Sequence, residues 1–179
     1  MSTRNLTMVV DRKHAENHEL GFAAPPGFFA DNSYVNMYLH HDGYPAWQGV
    51  QLANWCHTNS RQDGSAIAAK LVRDMYYDSC YLYPDQDNID HQYTYIIFTG
   101  KKDIWISCYD KYSSENVFVL TPEKIISEYM VEGMEYTDFA NGETRFGDVG
   151  VDTITKDEIT KYNKVRANAQ KIIDILTTD

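Results

Sequence analysis

Hydrophobic and polar residues alternate from Thr3 to Val10, which predicts a strand carrying Leu6, Met8 and Val10 on one face. A second alternating run, Tyr34 to His40, sets Val35, Met37 and Leu39 on one face before Gly43 and Pro45 break it. Between them, Asp11 to Asn32 turns polar and then Gly-, Pro- and Phe-rich, the composition of a long covering or functional loop. From Ala46 to about His57 the spacing is helical. Beyond Asp63-Gly64, Ser65 to Tyr77 predicts a second helix with Ile67, Leu71, Val72 and Met75 on one stripe. Asp85 to Asp90 is a polar loop, followed by strands at Gln92–Thr99, Asp103–Tyr109 and Asn116–Leu120. Thr99-Gly100-Lys101-Lys102 makes the first turn of this antiparallel meander. Ile96-Ile97-Phe98 and Ile104-Trp105-Ile106 are apolar on both faces, as central strands covered on both sides would be.

Thr121-Pro122-Glu123 starts a helix that runs to about Val131. Glu132 to Thr153 is Gly- and acid-rich and reads as irregular. Thr155-Lys156-Asp157-Glu158 then forms a capping-box pattern opening a C-terminal helix, with Ile159, Tyr162, Val165, Ala169, Ile172, Ile173 and Leu176 on one stripe. The elements predict a single α+β domain over residues 1–179. Its sheet is mainly antiparallel, with about five strands covered by about four helices, and αββα-like layering is one arrangement it allows.

Charge narrows the partners. The chain has 16 basic against 26 acidic residues, a net charge of -10, and no basic cluster larger than Lys101-Lys102. Such a surface repels a phosphate backbone, so direct nucleic-acid binding is not expected. A basic protein surface, a small anion at a local site, or a homo-oligomeric contact stays open. Cys56, Cys80 and Cys108 are odd in number, widely spaced and without a CxxC pair, which fits free thiols in a reducing cytosol. No apolar run approaches the roughly 18 residues of a membrane span, and no basic-then-apolar leader precedes the first strand. Walker, dinucleotide-binding and Gly-x-Ser-x-Gly motifs are missing from the sequence, and no cofactor is implied. Cys56 and His57 are helix neighbours pointing apart, which argues against a dyad.

The candidate chemistry lies where the first two strands meet. If both turn their apolar faces to one core, Leu6 pairs with Leu39, Met8 with Met37 and Val10 with Val35. That register sets Arg4 opposite His41, with Asn5 against His40 and Thr3 against Asp42. A guanidinium and an imidazole at the edge of a core need a partner. Asp42 could supply it in a structural ion pair; so could an anionic ligand. Arg4 offers a planar fork for carboxylate or phosphate, and His40 or His41 can hold a proton near neutral pH. The amides that begin the following helix would add anion affinity. Tyr44-Pro45 reads as a packed turn that can also line the site. A metal held by His40, His41 or Asp42 with His57 or His91 is a weaker alternative, because adjacent strand residues point to opposite faces. His14 and His18 have helical ligand spacing without the His-Glu-x-x-His order and read as solvated surface.

Ser2-Thr3-Arg4 opening a strand, followed by Tyr38-Leu39-His40-His41-Asp42-Gly43-Tyr44-Pro45, resembles a family of small bacteriophage proteins. These carry an N-terminal Ser-Thr-Arg and a Tyr-x-His-Trp-Asp-Gly-Tyr-Pro motif. The resemblance covers the first quarter of the chain, and His41 stands where the family usually has Trp. It implies a virus-encoded accessory protein in the host bacterial cytosol and shifts the catalytic candidates to His40 and Asp42. Arg4, His41, Tyr44 and Thr3 are then ligand-binding candidates.

Two functions compete. One is a binder, or hydrolase, of a small nucleotide-like anion using Arg4, His40 and Asp42. The other is a non-enzymatic inhibitor whose acidic, tyrosine-rich surface docks on a basic host protein. A third reading, an amino-terminal-nucleophile hydrolase, needs Met1 removed to free Ser2.

Overall fold

The computed structural model describes residues 3–59, 63–75, 80–86, 89–101 and 103–130. The irregular stretch after Val131 and the helix expected from Thr155 lie outside the described residues, as does that part of the single-domain expectation.

The chain forms an α+β fold around one mixed sheet. In chain order the main elements are β1 (Asn5–Asp11), α1 (Arg12–Glu16), β2 (Ser33–Leu39), α2 (Val50–Thr58), α3 (Gly64–Met75), β3 (Cys80–Tyr83), β4 (Tyr93–Thr99), β5 (Trp105–Asp110), β6 (Glu115–Leu120) and α4 (Pro122–Tyr129). The six strands lie in the order β3-β2-β1-β4-β5-β6. All neighbours pair antiparallel except β1 and β4, which run parallel. The αββα arrangement requires two sheets; the described residues form this one.

Both faces of the sheet are buried, each against different parts of the chain. On one face, Val9, Met37, Tyr95, Ile97, Ile106 and Cys108 meet Leu52, Trp55, Ile67, Leu71, Met75, Ile125 and Ile126 of the three longer helices. On the other, Leu6, Met8, Val10, Tyr38, Ile96 and Phe98 are covered by Ala15, Ala24, Phe29 and Ile89. The Gly/Pro/Phe-rich segment therefore is a cover. It forms two 3-10 turns, Gly21–Ala23 and Pro26–Asn32. Phe22 and Phe29 approach Phe98 edge-on at 5.0 and 5.2 Å, and Phe22 stacks on Trp105 at 5.5 Å. Full burial of the Phe29 ring contributes about 1.5–3 kcal/mol.

This double cover overturns the expected register. Strands β1 and β2 pair as Leu6 with Tyr38 and Thr7 with Met37, one residue away from Leu6 with Leu39. Leu6, Met8 and Val10 consequently face the cover, whereas Met37 faces the helices. The expectation assumed that only one face is buried. When both are, a one-residue slip exposes no apolar set, and alternation no longer fixes the pairing. Strand β3 carries no signal of its own: it has four residues, and Tyr81, Leu82 and Tyr83 are all exposed. The meander and helices α2, α3 and α4 lie where the pattern predicts them.

Candidate functional site

At the end of β2 the chain must turn sharply over the start of β1. Asp42 takes a left-handed backbone conformation, φ 51°, which the short polar side chain of Asp tolerates better than most. Gly43 follows, and its amide donates to the Thr3 carbonyl at 2.8 Å. A Cβ at Gly43 would lie 2.8 Å from Asn5 Nδ2 and 2.9 Å from the Arg4 carbonyl carbon, so only glycine permits this approach. From the helix side, the buried Tyr95 hydroxyl donates to the Gly43 carbonyl at 2.8 Å. Tyr44 then accepts from the amides of Trp47 and Gln48 at 3.0 and 2.9 Å as the π-helical turn Pro45–Gly49 begins.

That turn removes one expected contribution. Pro45 has no N–H, and the Trp47 and Gln48 amides are already bonded to Tyr44, so the helix start does not offer the anion cradle expected of it.

Arg4 is anchored through its backbone, where its carbonyl accepts from the amides of Gln92 and Tyr93 at 3.1 and 3.3 Å. Its guanidinium forms an ion pair with Asp90, not with Asp42. The expected Arg4–Asp42 pairing is thus corrected: the left-handed turn leaves Asp42 exposed, while the segment before β4 brings Asp90 to the arginine. The pair is open to solvent, with side-chain exposures of 37% for Arg4 and 74% for Asp90. Nor does Arg4 face His41 in the expected register, because the ladder is shifted by one residue.

His40 joins the site through Tyr38. The Tyr38 hydroxyl and His40 Nδ1 are 2.9 Å apart. Burial pushes the Tyr38 hydroxyl pKa above its ordinary value, with the Arg4 charge opposing. His41 is exposed and sets its ring perpendicular to that of His40, with centroids 4.7 Å apart. Tyr44 is exposed beside Asp42, and partial burial and that carboxylate raise its hydroxyl pKa. Thr3 contributes a backbone carbonyl to Gly43.

The residues brought together are therefore Arg4, Tyr38, His40 and Asp90, with Tyr81 and Tyr83 beside them at ring distances of 6.1 and 5.8 Å from Tyr38. Asp90 was beyond sequence reasoning, being 86 residues from its partner. Tyr81 and Tyr83 lie on β3, a strand too short and too exposed for the sequence pattern to mark.

Other histidines serve elsewhere. His57 bonds Glu123 across α2 and α4 at 3.2 Å. His91 is buried between the Ile89 carbonyl at 2.9 Å and the Thr94 hydroxyl at 2.8 Å, and burial lowers its pKa. His18 accepts from the Leu20 amide. Among the described residues, no group of three or more His, Cys, Asp or Glu side chains could hold a metal ion. All three cysteines are buried and outside any disulfide, and burial pushes the thiol pKa of Cys56 and Cys108 upward. No helix of the described residues is long and apolar enough to cross a membrane. Ser2 lies outside the described residues.

Comparison with protein-family models, curated proteins and solved structures returned no match.

Proposed function

We propose that the chain is a bacteriophage-encoded accessory protein of the host cytosol that binds a small anionic, nucleotide-like ligand where β1, β2 and β4 begin or end together. The observation that carries this reading is the Arg4 guanidinium, whose counter-charge is a carboxylate 74% exposed to solvent. An exposed ion pair contributes only about 0–1 kcal/mol, so a phosphate or carboxylate that engages the guanidinium fork in two places can replace Asp90 at small cost. The Tyr38 hydroxyl, 2.9 Å from His40 Nδ1, orients the imidazole and makes His40 the acid/base if turnover occurs. The resemblance of residues 2–4 and 38–45 to a phage family supports the cellular setting.

Thermal shift measured against nucleotides, cyclic dinucleotides and ADP-ribose derivatives tests the reading through two variants. Arg4→Gln removes the anchor; Asp90→Asn removes only the competing carboxylate. A ligand site predicts that stabilisation by the ligand disappears in Arg4→Gln and is kept or enlarged in Asp90→Asn. A purely structural pair predicts equal loss of stability in both variants and no ligand response in either. Any ligand that binds is then followed for hydrolysis, with His40→Gln and Asp42→Asn separating chemistry from binding.

A second reading, docking on a basic protein, draws on a different observation: Tyr81, Leu82 and Tyr83 are 50%, 50% and 41% exposed on an edge strand of an acidic chain. Binding of a basic protein that collapses as salt rises is its signature.

A further inference from the structure

We infer that the outer edge of β3 is a docking site for an extended basic segment of a partner protein, which joins the sheet as an additional strand. The inference rests on the second reading above and adds to it a place and a geometry.

Three observations converge. First, β3 ends the sheet, and no strand pairs with its far side among the described residues. Proteins blunt such edges with lysine, proline, a bulge or a covering element, because unpaired amides and carbonyls recruit other chains. Within Cys80–Tyr83 there is no charge, no proline and no irregularity in its pairing with β2; among the described residues its protection is its shortness and Pro84, which follows it directly.

Second, both faces of the strand are open. Tyr81 and Tyr83 share one face and Leu82 takes the other, so an added strand would find apolar contact for its side chains on either side. Tyr83 stands nearly perpendicular to Tyr38, and Tyr81 is tilted to it, leaving ring faces for cationic heads.

Third, the charge is mainly acidic. From Cys80 to Gln92 the sequence contains Asp85, Asp87 and Asp90 and no lysine or arginine, in a chain of net charge -10, and Asp90 is paired with Arg4. Basic side chains on the incoming strand would meet a net-acidic chain and tyrosine faces. A second copy of this chain would bring the same acidic surface to the edge, which disfavours self-pairing.

The test uses the full chain and three labelled eight-residue peptides: alternating Lys-Val, alternating Glu-Val, and a Lys-Pro peptide of repeating Lys-Pro-Pro, which leaves neither edge of an extended chain with successive backbone donors. Fluorescence anisotropy at low salt gives affinity, and amide hydrogen exchange reports on Cys80–Tyr83. The expected result is binding of Lys-Val with slowed exchange in β3, and binding at least about tenfold weaker for the other two peptides. Replacing both tyrosines with serine (Tyr81→Ser, Tyr83→Ser) should weaken Lys-Val by about tenfold, from two exposed cation–π contacts. Equal binding of Lys-Val and Lys-Pro without protection in β3 overturns the inference and leaves the acidic docking reading standing. No binding of any peptide overturns both. Protection of β3 that rises with protein concentration, peptide absent, overturns it in favour of self-association.

Discussion

The two edges of the sheet are built differently. Strand β6 has six residues, with Phe118 buried among Tyr95, Tyr129 and the helices. Its rim is held by the cover, since Asn116 Nδ2 donates to the Ala23 carbonyl at 2.7 Å, and α4 follows directly after it. Strand β3 has four residues, buries only Cys80, and turns its tyrosines and leucine to solvent. An edge strand that contributes to the core is held in place by its own packing. One that does not is available for recognition, and substitutions there should act on binding before they act on stability.

The largest effect that tests this contrast is Phe118→Ala, expected to cost about 3–5 kcal/mol in urea unfolding because a buried ring leaves a cavity. Tyr83→Ala should stay within about 0.5 kcal/mol of wild type in the same assay. Equal losses would erase the distinction between the edges.

The β3 side is not soft throughout, however. Gly43→Ala forces a methyl against the Asn5 amide and the Arg4 backbone, and should cost about 1–3 kcal/mol. A neutral result would show that the turn relaxes without cost.

Smaller again is Asn116→Ala, which removes the bond to the Ala23 carbonyl and should cost about 1 kcal/mol. Faster amide exchange in Gly21–Ala23 would locate that loss at the β6 rim; unchanged exchange would argue against it.

The smallest expected effect is a pH dependence that Glu123→Gln removes. The bond to Glu123 raises the His57 pKa above its ordinary 6.5, so its contribution is fully present below that value and is lost as pH rises through the folded pKa. The same bond lowers Glu123 from 4.5 to about 2, so its contribution is present above 4.5 and lost as pH falls towards 2. The pair therefore contributes most between about pH 4.5 and 6.5. Both side chains are about a third exposed, and solvent screening limits the effect to roughly 0.5 kcal/mol. Unfolding curves at pH 5.5 and 8.5 on wild type and Glu123→Gln measure it.

Alternation and helical spacing sufficed to locate β1, β2, β4, β5, β6 and the three longer helices, because each buries a periodic set of side chains and periodicity is local. Doubly apolar runs such as Ile96-Ile97-Phe98 also announced a sheet covered on both faces. The same double burial hid the register, since either face of β1 can serve as an inside. It was settled by Gly43 closing on Thr3 and by β4 running parallel beside β1. For the candidate site, the sequence supplied the turn and two of its groups, Arg4 and His40. Tertiary structure supplied the rest, exchanging Asp42 for Asp90 and adding Tyr38, Tyr81 and Tyr83. A strand's pattern records which of its residues are buried, whereas the partner across a strand end is chosen by chain folded back from 86 residues away.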